Sequence, residues 1–275
     1  MLNRLLFSLY EILPISVIKF IKQSKLKQLA GKLLRTHPGK PRMVNVMVNW
    51  EKDSYFNFFA PIKIAEKAKN RGIENTLLRN SLTLLGSTVN NRTILDVGAN
   101  YGFLSLVWAT TCCKSGGVFA FEAHPDIAQA LTYSVKKNNL QNVLHVTSAA
   151  VGDQMGKLDL YLYGTTSNLN ERTNLHGQKT EVNMITLDSF MVQKNLSSCD
   201  LIKIDTDGNE LSVLLGAKEL IKKFKPIIVI ETNQQHALVP LLIDLEYSLL
   251  DMNLEPLSNN NFLPPNIFAL PTKKI

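Results

Sequence analysis

The stretch TILDVGANYGFLSL, Thr93–Leu106, decides the fold of this chain. It begins as a run of strand-forming residues, passes Asp96, turns through Gly98 and Gly102, and continues as an apolar helical segment. In open α/β sheets, ligands bind beyond the carboxyl ends of the strands, where the first strand meets its helix. The free N–H groups of the following helix would suit a negatively charged group. The turn therefore predicts a binding site, and the residues around it indicate which ligand it binds.

Apolar runs that suit buried strands alternate with helical patterns from Thr93 onward. The strand-like runs cover residues 93–97, 117–122, 143–148, 200–205 and 226–231, with a short closing strand at 266–270. Helical spacing covers residues 103–112, 125–138 and 210–224. Continuous apolar strands separated by helices predict a doubly wound α/β fold, with a mostly parallel sheet covered by helices on both faces.

Two segments interrupt this alternation. Residues 157–163 and 181–190 alternate apolar and polar side chains, which predicts an added antiparallel pair of strands. The polar segment between them, residues 164–179, has the length of a lid or a binding loop.

The positive charge of the chain is concentrated near its start. The formal charge of +7 comes from 30 Lys and Arg residues against 23 Asp and Glu residues. Residues 1–42 contain nine of the basic residues but only Glu11 of the acidic ones, which leaves 21 basic and 22 acidic residues beyond them. A near-neutral main domain argues against a nucleic-acid groove, so we expect no nucleic-acid partner.

Residues 1–72 are predicted to form a basic helical arm or cap before a domain at 73–275. The apolar run 5–18 has 14 residues, interrupted by Glu11 and Pro14, which is short of the roughly 18 that span a bilayer. Such an arm can lie peripherally on an anionic membrane through residues 1–42, although packing on the main domain is favoured. Residues 55–61, YFNFFAP, are expected in the core or an interface.

The cysteines indicate the compartment. Cys112, Cys113 and Cys199 form no C-x-x-C pair and no even framework, so neither a disulfide scaffold nor a zinc site is predicted. A reducing compartment suits them, and we expect a cytoplasmic protein, membrane-peripheral if the arm binds lipid.

The residues of the turn discriminate between ligands. A dinucleotide fingerprint requires G-x-G-x-x-G, but Asn100 and Phe103 occupy the places of its second and third glycines. Asp96 and Glu122 lie near the ends of the first two strands, where a carboxylate can accept hydrogen bonds from both ribose hydroxyls of a nucleoside. Together these residues indicate a nucleoside that carries an amino acid rather than a pyrophosphate.

Several blocks of the chain resemble, in the same order, those of the FkbM-type S-adenosylmethionine-dependent methyltransferases. They are DVGANYGFLSL, FAFEAHP, AAVGDQMGKLDLYLY, ITLDSF, LIKIDTDGNELSVLLGA and PIIVIET. The resemblance covers about residues 72–271. It implies a class I methyltransferase fold, with a seven-stranded sheet whose last strand is antiparallel. It also implies methyl transfer from S-adenosylmethionine, usually to a hydroxyl oxygen of a sugar, glycan or natural product.

The resemblance also assigns residues to the cofactor. Gly98, Asn100 and Gly102 would hold the methionine part of S-adenosylmethionine, and Glu122 would hold its ribose. Ser148 and Ala149 would border the adenine. The chain departs from the family at Asp207, where glutamate is more frequent, and over residues 1–72, which match no block.

The segment KIDTDGNE carries the residues predicted to act in chemistry. Lys203, Asp205 and Asp207 lie two positions apart, so an extended strand would present them on one side. Asp205 or Asp207 would orient an attacking hydroxyl or accept its proton, and Glu231 ends the neighbouring strand in the same region.

Alternatives remain open for this charged segment and for the whole domain. Lys203 and Asp205 could form a purely structural ion pair. Less favoured is Mg²⁺ held by Asp205, Asp207 and Glu231, since oxygen ligands suit it; the predicted set of sites contains no metal. A domain that binds S-adenosylmethionine only as a scaffold is the main functional alternative. A nicotinamide oxidoreductase is opposed by the missing glycines.

Overall fold

The structure is a computed structural model that describes residues 41–51, 54–86, 91–163, 166–168, 178–257 and 262–272. The chain divides into two compact units, Met1–Met43 and Val44–Ile275. Because residues 1–40 lie outside the described residues, the predictions of membrane contact and of helical packing for the arm stay predictions. Within the described ranges, no helix is both long and apolar enough to cross a membrane.

The described part of the chain begins with two strands. β1 (Met43–Trp50) and β2 (Ser54–Pro61) form a two-stranded sheet, followed by α1 (Ile62–Arg71) and α2 (Asn75–Leu85). The prediction of a helical segment is therefore wrong over these two strands. Phe56 and Phe58 lie two positions apart on β2, so the strand buries both on one face, while Tyr55 stays exposed. This burial confirms the prediction that YFNFFAP belongs to the core.

The remaining elements follow in the order expected for an α/β domain. The strands are β3 Thr93–Val97, β4 Gly117–Phe121, β5 Leu144–Thr147, β6 Ala150–Val151, β7 Gly156–Tyr163, β8 Thr166–Asn168, β9 Gln178–Ile185, β10 Leu201–Ile204, β11 Ile227–Glu231, β12 Tyr247–Leu250 and β13 Asn266–Pro271. The helices are α3 Phe103–Thr110, α4 Pro125–Lys137, α5 Leu187–Gln193, α6 Glu210–Leu215, α7 Lys218–Phe224 and α8 Leu238–Asp244.

A seven-stranded sheet in the order β12-β13-β11-β10-β3-β4-β5 forms the centre of the domain. The strands from β11 to β5 are parallel, and β13 runs antiparallel to both β11 and β12. This order confirms the predicted mostly parallel sheet and its antiparallel last strand. The chain moves from β3 to β4 on one side and returns to β10 on the other, which opens a crevice at the carboxyl ends of β3 and β10.

Burial explains why these strands could be read as continuous apolar runs. Every residue of β3, β4 and β10 is buried, and the face that includes Leu95 and Ile202 packs with side chains of α5 to α8. Phe121 on β4 contacts Phe190 on α5 edge to face, with ring centroids 4.7 Å apart. Two charged residues, Asp96 and Lys203, are buried on neighbouring central strands.

A second sheet, in the order β6-β9-β7-β8, contains the predicted added pair. β7 and β9 are antiparallel, with Leu158 opposite Val182. The prediction of a strand over 181–190 is wrong after Ile185, because Thr186 is the N-cap of α5, which begins at Leu187. Thr186 Oγ1 accepts a hydrogen bond of 3.0 Å from the Ser189 N–H, the usual role of threonine at a helix N-cap. Most of the loop at 164–179 lies outside the described residues, and its role as a lid stays a prediction.

The predicted helix over 210–224 is interrupted. α6 ends before Gly216, and α7 begins at Lys218. A Cβ atom on Gly216 would lie 1.9 Å from the carbonyl oxygen of Gly152, so the chain approaches a distant backbone segment at the break. Helical spacing of apolar residues continues across this contact, which is why the sequence predicts one helix.

Candidate active site

The glycine turn after β3 has a backbone that side chains would disrupt. Gly98 has φ +73°, and a Cβ atom there would lie 1.7 Å from the carbonyl oxygen of Asp205. Gly102 has φ +78°, and its Cβ would lie 2.0 Å from Leu131 Cδ1. Glycine adopts such angles without steric cost, so both residues allow the turn to approach β10 and α4 closely.

Hydrogen bonds within the protein use the N–H groups of this turn. Gly98 and Ala99 both donate to the carbonyl oxygen of Phe121, at 3.0 and 2.9 Å. Gly102 donates to Ala99 at 2.8 Å. α3 starts at Phe103 without a capping side chain, so the N–H groups available to an anion belong to the first turn of α3 rather than to the glycine turn.

Glu122 connects the turn to the end of β4. Its Oε2 accepts a hydrogen bond from the Asn100 N–H and its Oε1 accepts one from the His124 N–H, both at 2.8 Å. The side chain is 7% exposed, and burial raises the pKa of Glu122 to about 6 even though both N–H groups favour its ionised form. Each carboxylate oxygen keeps capacity for a second hydrogen bond, such as one from a ligand hydroxyl.

A single cavity of about 420 Å³ brings most of the predicted residues together at the carboxyl ends of β3, β4 and β10. The predicted residues that line it are Gly98, Asn100, Gly102, Glu122, Ala149, Lys203, Asp205 and Asp207. Asp96, Ser148 and Glu231 are not part of its lining. The cavity therefore joins the predicted cofactor residues to the predicted chemical residues.

Asp96 is buried and does not belong to the cavity lining. It has no exposed surface, it accepts a hydrogen bond from the Ser105 hydroxyl, and its Oδ1 lies 3.7 Å from Lys203 Nζ. Burial raises the pKa of Asp96, against the opposing effect of the Lys203 ammonium. Because Asp96 does not line the cavity, the structure gives no contact that supports its role as a cofactor residue, and that role stays a prediction.

Lys203 is a buried ammonium held by several acceptors. Its Nζ donates to the carbonyl oxygen of Gly98 at 3.0 Å and lies 3.2 Å from Asp205 Oδ2. Burial alone would lower the pKa of Lys203, but the carboxylates of Asp205, Asp96 and Glu74 raise it above its ordinary value. Lys203 is therefore protonated at neutral pH and cannot serve as a base.

Asp205 and Glu231 form a coupled pair at the ends of adjacent strands. They share a side-chain hydrogen bond, and Asn233 Nδ2 donates to Glu231 Oε2 at 2.8 Å. Burial and the neighbouring Asp205 raise the pKa of Glu231 to about 7. Burial acts to raise the pKa of Asp205, but Lys203 and the hydrogen bond with Glu231 bring it below its ordinary value. Glu231 is thus the proton donor of the pair.

Asp207 lines the cavity, but not because it lies on an extended strand, as was predicted. β10 ends at Ile204, and Asp207 has φ +53°, so it does not share the face of an extended strand with Lys203. The buried Glu210 carboxylate fixes this turn by accepting hydrogen bonds from the N–H groups of Thr206 and Gly208, at 2.9 and 3.0 Å. The turn, rather than strand periodicity, carries Asp207 to the cavity.

The sequence did not identify every residue that lines the cavity. Phe58, Lys67 and Glu74 come from β2, α1 and the start of α2, and Tyr101 comes from the glycine turn. No motif surrounds Phe58, Lys67 or Glu74, so only long-range packing could place them here. Over the ranges that the structure describes, no group of three or more His, Cys, Asp and Glu residues could hold a metal ion, and Asp205, Asp207 and Glu231 form no such group.

The strand order, the glycine turn after the first parallel strand and the acidic residue after the second define a class I methyltransferase. The model of the methyltransferase FkbM domain matches residues 96–253, more than half of the chain. The chain belongs to this family, as the sequence resemblance predicted.

Individual relatives are distant. The chain is 23% identical over 146 residues to the hexuronic acid methyltransferase AglP of Haloferax volcanii, a match that covers 53% of this chain and 58% of that protein. A methyltransferase FkbM from Methylobacillus flagellatus KT is 16% identical, with a TM-score of 0.45 and coverage of 66% of this chain and 44% of that one. An S-adenosylmethionine-dependent O-methyltransferase from Thermotoga maritima is 12% identical, with a TM-score of 0.43 and coverage of 88% and 82%.

Proposed function

We propose that this methyltransferase uses S-adenosylmethionine to methylate a hydroxyl oxygen of a sugar, a glycan or another small hydroxylated molecule. The observation that carries the proposal is one cavity lined by two chemically different groups of residues. We assign the end marked by Asn100 and Glu122 to the cofactor, and the end marked by Lys203, Asp205 and Asp207 to the methyl acceptor. The name of the relative AglP, a hexuronic acid methyltransferase, supports a sugar as the acceptor class.

The first end suits the cofactor. Gly98 and Gly102 allow the turn to approach Asp205 and Leu131 closely, and the residues that follow, Phe103 and Leu104, line the cavity. Glu122 would accept hydrogen bonds from the ribose hydroxyls, the first turn of α3 would hold the carboxylate, and Ala149 would border the adenine. When bound, S-adenosylmethionine would supply the methyl group, whose bond to sulfur breaks as its bond to the acceptor oxygen forms.

The second end suits an acceptor hydroxyl. Asp205 would accept a hydrogen bond from that hydroxyl, orient its oxygen and take its proton as the oxygen forms the new bond. The pKa of Asp205 is lowered, which makes it a weak base. A weak base is sufficient because an oxygen that is forming a third bond becomes strongly acidic. Lys203 would hold Asp205 in place, and Glu231 would support it through their shared hydrogen bond.

Binding and transfer experiments test the proposal. S-adenosylhomocysteine should raise the melting temperature of the protein, whereas NAD at equal concentration should not. Radiolabelled S-adenosylmethionine should then transfer label to methyl glucopyranoside as a methyl ether, which survives mild alkali, unlike a methyl ester. If NAD raises the melting temperature and S-adenosylhomocysteine does not, the proposal that S-adenosylmethionine is the cofactor is wrong. Cofactor binding without label transfer to any hydroxylated acceptor would favour the scaffold alternative.

A substitution tests the role of Asp205. Asp205→Asn should retain near-normal affinity for S-adenosylhomocysteine and lower the rate of label transfer by about 10² to 10⁴, the range for a positioned acid or base. A normal rate of transfer in Asp205→Asn, with only the melting temperature reduced, would leave Lys203 and Asp205 as a structural ion pair.

A further inference from the structure

One wall of the cavity lies outside the part of the chain that matches the family model. The side chains of Phe58, Ile64, Lys67, Ile73 and Glu74 line the same cavity as Asp205 and Asp207. They come from β2, α1 and the connection to α2, whereas the FkbM match begins at residue 96. This wall therefore comes from residues that precede the matched domain.

The connection between α1 and α2 is held in a defined shape by Asn75. Its Nδ2 donates to the carbonyl oxygen of Arg71 at 2.7 Å, and its Oδ1 accepts a hydrogen bond of 3.0 Å from the indole N–H of Trp50. Trp50 is itself buried. The corner is thus anchored to β1, and the residue before Asn75 has a fixed position at the cavity.

That residue, Glu74, has a left-handed backbone with φ 49° and ψ 42°, which is uncommon for a residue with a Cβ. Its side chain makes no capping hydrogen bond at the start of α2. Glu74 instead lines the cavity, where burial raises the pKa of its carboxyl group and the charges of Lys203 and Lys67 oppose that rise. Residues held in sparsely populated backbone conformations cluster at functional sites, and Glu74 gains no local cap from this one.

The charges at this end of the cavity are predominantly negative. Glu74, Asp205 and Asp207 contribute three carboxylates. The Lys203 ammonium is shared with the buried Asp96 carboxylate, which leaves Lys67 as the further cation among the described lining residues. Carboxylates accept hydrogen bonds from hydroxyls and repel other carboxylates, so this end favours a neutral polyhydroxylated acceptor.

We propose that Glu74 is the specificity-determining residue of the acceptor site, where it binds a hydroxyl of a neutral hexopyranoside and excludes the corresponding uronate. The proposal rests on the proposed function, because it assumes that the second end of the cavity holds the methyl acceptor. It makes Glu74 a contact of the acceptor and not of the cofactor.

A matched pair of probes tests this assignment. Methyl glucopyranoside and methyl glucuronide differ only at C6, and their binding can be measured by ligand-observed NMR on full-length protein saturated with S-adenosylhomocysteine. The wild type should bind the glucopyranoside at least about tenfold more tightly than the glucuronide. Glu74→Gln should lower that ratio, and Glu74→Lys should lower it further. The affinity for S-adenosylhomocysteine should stay within about twofold in both variants.

Glu255→Gln makes the same charge change at an exposed residue outside the cavity lining and should leave the ratio unchanged. Preference of the wild type for the glucuronide, which Lys67 could bind, overturns the proposal. So does binding of neither probe, an unchanged ratio in Glu74→Gln, or a large loss of affinity for S-adenosylhomocysteine in that variant. Failure of the proposed function is distinguishable, because the wild type would then either not bind S-adenosylhomocysteine or transfer label to no hydroxylated acceptor.

Discussion

The backbone N–H of Asn100 donates a hydrogen bond of 2.8 Å to the Glu122 carboxylate, so the glycine turn and the second parallel strand share one buried charge. Hydrogen bonds to a charged group contribute about 1.5 to 3 kcal/mol each. Glu122→Ala should therefore weaken binding of S-adenosylhomocysteine by about tenfold to a hundredfold in isothermal titration. Glu255→Ala is the control for loss of a carboxylate away from the cavity. Unchanged affinity in a folded Glu122→Ala variant would place the ribose elsewhere.

The raised pKa of Glu122, about 6 against an ordinary 4.5, predicts opposite effects of pH on binding and on stability. Ligand hydroxyls prefer the ionised carboxylate, so affinity for S-adenosylhomocysteine should fall as the pH drops below about 6. The folded ligand-free protein holds this proton more tightly than the unfolded chain, so Glu122 should contribute increasing stability as the pH falls from 6 to 4.5. Titrations and melting curves at pH 5 and pH 7.5 measure both effects, and Glu122→Gln should remove both.

Gly98→Ala should disrupt the turn. The substitution adds a Cβ in a left-handed conformation, which costs about 1 to 2 kcal/mol, and places it against the Asp205 carbonyl, where overpacking adds about 1 to 3 kcal/mol. The free energy of unfolding in urea should therefore fall by several kcal/mol. Gly156→Ala is the matched control, because a Cβ at Gly156 meets nothing within 4 Å. Equal effects of the two substitutions would contradict the geometry of the turn.

The burial of Asp96 against Ser105 predicts that Ser105→Ala lowers the stability of the protein without weakening its binding of S-adenosylhomocysteine. Ser105→Ala removes the hydroxyl that donates to the buried Asp96 carboxylate, a charge-assisted hydrogen bond worth about 1.5 to 3 kcal/mol. The melting temperature should fall while affinity for S-adenosylhomocysteine stays near that of the wild type. The exposed Ser248→Ala on β12 should change neither quantity. A selective loss of affinity in Ser105→Ala would support Asp96 as a cofactor residue.

The sequence predicts the central sheet well because its strands are buried on both faces. Such strands are continuous apolar runs, and the residues of β3, β4 and β10 could be located within one or two positions. The positions of Gly98, Asn100 and Glu122 then follow from the rule that ligands bind at the carboxyl ends of parallel strands.

Features that depend on distant contacts could not be predicted in this way. The break at Gly216 depends on the carbonyl group of Gly152, and the position of Glu74 depends on Trp50 and Asn75. Asp96 illustrates the same limit within a motif. Its place near the end of a strand was predicted, but its burial depends on Ser105 and Lys203.

The pair formed by Asp205 and Glu231 predicts a contribution to stability that depends on pH. One substitution should remove this pH dependence. The pKa of Glu231 is about 7 in the folded protein and 4.5 ordinarily, because the group is partly buried beside Asp205. Between these values the folded chain keeps a proton that the unfolded chain releases, so the contribution of Glu231 to stability rises as the pH falls from 7 to 4.5. Above pH 7 two adjacent carboxylates repel each other. Glu231→Gln keeps a neutral hydrogen-bond donor at every pH.

Glu231→Gln should therefore melt at a higher temperature than the wild type at pH 8 and at nearly the same temperature at pH 5. Differential scanning calorimetry at both pH values measures the difference. Glu255→Gln should shift neither melting temperature, since it removes an exposed carboxylate that is distant from Asp205 in the sequence and outside the cavity lining. A Glu231→Gln variant that is less stable than the wild type at pH 8 would mean that the ionised Glu231 carboxylate is the form that stabilises this end of the sheet, through Asn233 Nδ2 rather than through Asp205.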